Sequence, residues 1–284
     1  MIRGIILDVD GVIVGEKVGY NTPLPNPDVI ARLKQIEEAG VKISLCTAKP
    51  HYAIRQIIDE ARLSNLHITD GGAVIIDPID NVVMESHLID KSISKRIIKS
   101  CIDADVYVEV YSLSEYLIAK SQQSKLTITH QHILQRAPRV VESLVDEIEQ
   151  LSEIVKIMPI ANDENDKARL KEMFKSFELE LTLSWGVHPI ALPHQFGIIT
   201  TKGISKAQAL LHIAESSCIN TNQLLGIGDS TSDWQFIEKC GYAATLENGS
   251  PELKDLIASK NMQSHVGGSV DENGILDIFD HFKL

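Results

Sequence analysis

Two carboxylates two positions apart, Asp8 and Asp10, stand at the end of a short apolar run, Ile5-Ile6-Leu7. A continuous β-rich run of this kind reads as a buried parallel strand, and in open α/β sheets ligands bind beyond the carboxyl ends of such strands. A carboxylate placed there can attack phosphorus and form an aspartyl phosphate, dividing a difficult hydrolysis into two easier steps. Asp10, leaving the same loop on the same side, can protonate the departing alcohol and then deprotonate the attacking water. An Asp-x-Asp pair alone is more often a turn or a cap, so the reading depends on what else the chain supplies.

Three further pieces supply it. Thr47 follows the strand-like Val41–Cys46, Lys206 opens a helix after Ser205, and Gly228-Asp229 with Asp233 closes the strand-like Leu224–Gly228. Clustered acids repel a phosphate, so a divalent cation is required, and magnesium suits an oxygen shell of Asp8, the Asp10 backbone carbonyl and Asp229, with Asp233 in support. The Thr47 hydroxyl and the Lys206 ammonium can grip the phosphoryl oxygens where transition-state charge collects. Lys202 competes for the phosphate role, but Lys206 follows a plausible cap and begins the helix. Taken singly, Thr47 is a strand-end hydroxyl and Asp233 a helix cap. His51, His188 and His194 share no metal-ligand spacing and read as structural, and Trp185 reads as packing.

The elements that must hold these groups alternate in type. After Ile5–Leu7 the periodicity predicts helices over Asp28–Ala39 and Tyr52–Ala61, with the strand Val41–Cys46 between them. Val74–Ile76 and Val82–Met84 flank Asp77–Asn81 as a hairpin, and the character of the chain changes there. Beyond it an α+β module is expected: helices near Lys91–Ala104, Val140–Gln150 and Glu164–Phe177, and strands near Val106–Val110, Tyr116–Lys120, Val155–Ile160 and Glu180–Trp185. The core then resumes with a helix over Ser205–Ala214, the strand at Leu224 and a short helix at Ser232–Lys239. The expectation is an α/β protein: a Rossmann-like parallel-sheet core over 1–76 and 190–284, carrying an inserted α+β cap domain over 77–189.

Composition bounds the function classes. A chain of 284 residues with 44% hydrophobic content is an ordinary globular one, and its net charge of −12 repels nucleic acid and anionic lipid. A phosphorylated ligand must therefore meet a local positive site or a metal. Cys46, Cys101, Cys218 and Cys240 are widely spaced, which fits a reduced, cytoplasmic setting, and the N-terminal apolar run is too short for a signal peptide or a membrane anchor. A monomer or homodimer without nucleic-acid or membrane partners is expected.

Together the motifs resemble the haloacid dehalogenase superfamily over nearly the whole chain. ILDVDGVI is similar to its nucleophile loop, SLCTAKP to its threonine loop, GISKAQAL to its lysine helix and GIGDSTSD to its acidic metal loop. The large insert and the C-terminal VGGSVDENGILDIFDHF resemble the Cof-type branch, whose members mostly dephosphorylate sugar phosphates and related metabolites. The resemblance implies a magnesium-dependent phosphatase with Asp8 as nucleophile, Asp10 as acid and base, and Thr47, Ala48, Gly11 and Lys206 on the phosphate. It places Asp8, Asp10, Asp229 and Asp233 around the metal. Gly71-Gly72 stand where the branch passes to its cap, as a phosphate- or sugar-facing turn or as a plain one. Val12 departs from a common Thr and Lys49 from a common Arg, neither expected to touch the chemistry, while Ser232 replaces a common Asn near the metal. A phosphomutase sharing the aspartyl phosphate, and a non-catalytic metabolite-binding protein on the same fold, are the alternatives.

Overall fold

The computed structural model describes residues 1–260 and 263–284. The chain forms β1 (Gly4–Leu7), α1 (Pro27–Glu38), β2 (Lys42–Leu45), α2 (His51–Ala61), β3 (His67–Thr69), β4 (Val74–Asp77) and β5 (Val82–Ser86). Next come α3 (Lys91–Asp103), β6 (Tyr107–Tyr111), β7 (Tyr116–Ala119), α4 (Lys125–Leu134), β8 (Arg139–Val141), α5 (Leu144–Glu147), β9 (Lys156–Ala161), α6 (Glu164–Phe174), β10 (Leu181–Gly186) and β11 (Gln195–Thr201). The last run is α7 (Lys206–Ser216), β12 (Leu224–Ile227), α8 (Trp234–Ile237), β13 (Tyr242–Leu246), α9 (Pro251–Ala258), β14 (Ser264–Gly267) and α10 (Ile275–His281).

These elements divide into two compact units, Met1–Met84 with Lys206–Leu284, and Glu85–Ser205. The boundaries expected at 76/77 and 189/190 therefore both fall early. The second has a clear cause: Gln195–Thr201 is hydrogen-bonded between β10 and β9, antiparallel to both, and so belongs to the inserted sheet.

In the first unit a five-stranded sheet runs in the order β14-β13-β12-β1-β2, every pair parallel. β1 lies between β12 and β2 and all four of its residues are buried, which is why its sequence is apolar without alternation. Ile6 joins a cluster with Ala209, Leu210 and Ile213 of α7, Phe236 and Ile237 of α8, and Leu253 and Ile257 of α9. Alternation turns Ile5 and Leu7 to the opposite face. α1 starts where Asn26 accepts a hydrogen bond from the Asp28 amide ahead of Pro27, and it buries Val29, Ile30, Leu33 and Ile36 at helical spacing. A three-stranded sheet, β3-β4-β5, completes the unit, with the Asp77 carboxylate accepting from the Ile79 amide in the expected hairpin turn.

In the second unit the sheet order is β10-β11-β9-β6-β7-β8. Ile97 and Cys101 of α3, Leu144 of α5 and Leu170 and Phe174 of α6 pack on Val108, Val110 and Ile157. The helix expected over Val140–Gln150 is mostly something else: Arg139–Val141 is a strand parallel to β7, and only Leu144–Glu147 is helical, started by Ser143 accepting from Asp146. Pro138 and the β-branched Val140-Val141 favour the extended form. α4 was not expected, because KLTITHQHIL is rich in poor helix formers. Tertiary contact holds it, with the His130 ring 2.9 Å from the fully buried Glu109 carboxylate of β6.

Candidate active site

The carboxyl ends of β1, β2 and β12 lie side by side, and each hands its chain to a loop that carries polar groups. The Asp8 amide continues the parallel ladder by donating to the Ile227 carbonyl, the Cys46 amide does so to Leu7, and the Thr47 amide donates to Ile68. Sheet geometry thus brings Asp8, Thr47 and Asp229 to one edge.

Lys206, the first residue of α7, joins two of the loops. Its ammonium is 3.1 Å from Asp8 Oδ1 and 2.7 Å from Asp233 Oδ1. Asp233 spends its other oxygen on its own loop: Oδ2 accepts from the Asp229 and Ser230 amides and from the Ser230 hydroxyl. It therefore shapes the acidic loop and anchors the lysine. Gly228 is needed for this, since a Cβ there would come within 2.4 Å of the Asp233 Cβ. Lys202 lies in the second unit and donates to the Glu178 carbonyl.

Ligand oxygens of Asp8, Asp229 and Asp233 all fall within 4.8 Å of one another, the one such group among the described residues. Burial is the main force on their protonation. It pushes the Asp8 carboxyl up to about 7, helped by the nearby charges of Asp233 and Asp10, while Lys206 and the Val9 amide pull the other way. Burial, Asp233 and Asp8 push Asp229 well above the ordinary carboxylate range. Burial disfavours the Lys206 charge, but Asp233 and Asp8 overcome that and hold its proton more firmly than usual. Oxygen donors, crowding and excess negative charge suit a hard divalent cation.

Asp10 is held separately. Its Oδ1 is 2.7 Å from the ammonium of Lys49, whose side chain is only 5% exposed. The residue two positions beyond Thr47, a Lys where an Arg is common, thus reaches across to the loop of the neighbouring strand. The Lys49 amide also donates to Thr47 Oγ1, so the threonine loop closes on itself, and partly buried Ala48 lies between the two. Gly71 and Gly72 adopt φ of 70° and 105° in a turn that braces this loop, the Gly71 amide donating to Thr47 O and the Asp70 amide to Lys49 O.

Gly11 has φ of 74° and turns against Asp229: a Cβ on it would lie 2.0 Å from Asp229 Oδ2. Its own amide is committed to the Val14 carbonyl. Glycine here supplies the turn and the room for a carboxylate. Sequence reasoning passed over the Gly11 carbonyl's partner, Asn248, whose side-chain amide donates to it at 2.7 Å. Asn248-Gly249-Ser250 carried only turn chemistry as a signal. Of the histidines, His51 heads α2, whereas His188 and His194 belong to the second unit, where Trp185 packs partly buried on the hydrophobic cluster. Ser232 shares a hydrogen bond with the Ser230 hydroxyl at 2.8 Å.

Among the described residues no helix is long and apolar enough to cross a membrane, and all four cysteines are free.

The sequence profile of the haloacid dehalogenase-like hydrolases matches residues 5–279. The chain is 25% identical to the 5-amino-6-(5-phospho-D-ribitylamino)uracil phosphatase YwtE of Bacillus subtilis, covering 97% of this chain and 96% of that one. It is 20% identical to phosphatase YwpJ of the same organism, over 98% of both. Among solved structures, a haloacid dehalogenase-like hydrolase from Bacteroides thetaiotaomicron superposes with a TM-score of 0.81 at 17% identity, covering 99% of this chain and 100% of its own. The subclass IIB sugar phosphatase BT4131 superposes with a TM-score of 0.79 at 18% identity, over 99% of both chains.

Proposed function

The chain belongs to the haloacid dehalogenase-like hydrolases and is a phosphatase of that family, and we propose that it hydrolyses a small phosphorylated metabolite, a sugar or polyol phosphate, with magnesium and through an aspartyl phosphate on Asp8. The observation that carries the reading is the junction at Lys206, one ammonium between the Asp8 and Asp233 carboxylates beside Asp229, with Asp10 standing apart on its own partner.

In the first step a carboxylate oxygen of Asp8 bonds to phosphorus as the ester oxygen leaves, taking a proton from Asp10. In the second, Asp10 takes a proton from water as that water attacks phosphorus, and the P–O bond to Asp8 breaks to release phosphate. Thr47 and Lys206 hold the equatorial oxygens, with backbone groups of the Gly11 and Ala48 loops around them. Asp8, Asp229 and the Asp10 backbone carbonyl would hold a magnesium ion, which would supply charge neutralisation for the phosphoryl group, and Asp233 orders the loop that presents Asp229. The turn at Gly71-Gly72 braces the threonine loop. A sugar or polyol phosphate is favoured because one relative is named for a phosphorylated ribityl substrate and one structural neighbour is a sugar phosphatase.

The test is phosphate release from a panel of phosphorylated metabolites and p-nitrophenyl phosphate, with magnesium and with chelator. Release that needs magnesium supports the reading and ranks substrates. Release indifferent to chelator removes the metal, and silence from well-folded protein across the panel removes turnover in favour of a mutase or a binding protein.

A further inference from the structure

The end of β13 and the turn that follows it bond to both loops that bracket the acidic cluster. Thr245 Oγ1 donates to the Gly228 carbonyl at 2.8 Å, and the Ser250 amide donates to the Asp229 carbonyl at 2.8 Å. Between them, Asn248 Nδ2 donates to the Gly11 carbonyl at 2.7 Å. The acidic loop and the nucleophile loop are thus tied to one short segment, Thr245–Ser250, which belongs to neither.

Asn248 uses both ends of its amide. Its Oδ1 accepts from the Val270 amide at 3.0 Å, and the Val270 carbonyl accepts from Asn21 Nδ2 at 3.0 Å. A run of hydrogen bonds therefore goes from Asn21, in the loop after the nucleophile, to the carbonyl of Val270, and from the amide of that same residue through Asn248 to Gly11. Gly11 is the residue whose positive φ turns it against Asp229 with no room for a Cβ. A planar trans peptide has no freedom about its C–N bond, so fixing the Gly11 carbonyl fixes the plane joining Gly11 to Val12. Only a carboxamide of this length offers a donor to that carbonyl and an acceptor to the Val270 amide at once: Asp lacks the donor, Ala both, and Gln is a methylene too long.

We propose that Asn248 is a positioning residue for phosphoryl transfer: by tying Gly11 to the segment that also ties Asp229, its amide sets the spacing between the nucleophile loop and the metal-bearing loop. This rests on the phosphatase reading of the site. Asn248 reaches solvent, so its replacement leaves the fold standing while freeing the Gly11–Val12 peptide to rotate.

The experiment compares Asn248→Ala and Asn248→Asp with Asn65→Ala. Asn65 bonds Ser44 and Ser217, the latter just beyond the end of α7 opposite Lys206, and so supplies a hydrogen-bonded asparagine remote from the acidic cluster. Each protein is measured for kcat and KM on p-nitrophenyl phosphate, for the magnesium concentration giving half-maximal rate, and for Tm. Loss of an aligning hydrogen bond predicts a kcat lower by about tenfold in both Asn248 variants, with a raised magnesium requirement and little change in Tm. Asn65→Ala is expected to lower Tm and keep kcat. The isosteric Asn248→Asp keeps the acceptor for Val270 and carries the test if the alanine variant folds poorly. An active wild type whose Asn248 variants keep kcat and magnesium dependence within twofold overturns this proposal alone, as does an Asn65→Ala loss of kcat equal to theirs. A well-folded wild type that releases no phosphate overturns the phosphatase reading itself.

Discussion

The ammonium of Lys49 lies 2.7 Å from the carboxylate of Asp10, across the gap between the loops that leave β1 and β2. The lysine side chain is 5% exposed and that of Asp10 18%, so the pair is largely, though not wholly, withdrawn from bulk water. Removing one partner of a shielded pair leaves the other charge uncompensated, at a cost of about 3–5 kcal/mol in fully buried cases. Lys49→Met is therefore expected to lower kcat by about tenfold to a hundredfold by releasing Asp10 from its place. Lys49→Arg, which keeps the charge, should stay within several-fold of wild type. Steady-state hydrolysis of p-nitrophenyl phosphate reads both, and a fully active Lys49→Met protein would show that Asp10 needs no such partner.

Asp8→Asn and Asp10→Asn should fail at different steps. Without Asp8 there is no phosphoryl acceptor, so neither turnover nor a burst is expected. p-Nitrophenolate leaves without a proton from an acid, so Asp10→Asn should still phosphorylate Asp8 and then stall for want of a base to activate water. Rapid mixing should give one equivalent of p-nitrophenol per enzyme, followed by turnover reduced by about a hundredfold or more. A burst from Asp8→Asn would assign the nucleophile elsewhere.

Magnesium binding should release protons below neutrality. Burial and neighbouring carboxylates hold the Asp8 proton up to a pH of about 7, whereas a cation needs the ionised group. Apparent affinity should rise with pH through about 7, by up to about tenfold per unit for the Asp8 proton and more steeply where Asp229, whose carboxyl is also raised, gives up a second. The sign for stability follows: from about pH 4 to 7 the metal-free fold binds more protons at Asp8 than the unfolded chain, so this group's contribution falls as pH rises. Titration calorimetry in buffers of different ionisation enthalpy checks the proton release. Heats independent of buffer at pH 6 would contradict it.

His67 should act with the opposite sign. Its Nδ1 accepts the Leu45 amide at 3.0 Å in the interior, and burial, with a lesser push from Arg55, lowers its pKa to about 3. The unfolded chain takes up that proton near pH 6.5, so stability is lost as pH falls below there, by at most about 1.4 kcal/mol per unit from this group. Urea unfolding of wild type and His67→Gln between pH 4.5 and 7.5 isolates the term, the variant showing the shallower decline. Parallel declines would mean that His67 does not titrate on unfolding.

Asp8, Thr47 and Asp229 were legible because each follows a short apolar run that can only be a buried strand, and parallel strands present their carboxyl ends at one edge. Lys206 was legible because a helix begins with it. Those inferences use neighbours in sequence, and for the same reason the alternation of strands and helices announced the α/β class. Only the tertiary structure decided what joins distant segments. Lys49 meets Asp10 and Asn248 meets Gly11 because β1 neighbours β2 and β12 neighbours both β1 and β13, an order that no single stretch encodes. α4 is helical through a buried contact that outweighs its weak propensity, and Gln195–Thr201 joined the inserted sheet because both its edges found antiparallel partners there. Local pattern reports which face a residue must bury, while pairing order and long-range hydrogen bonds depend on which surfaces meet once the chain is compact.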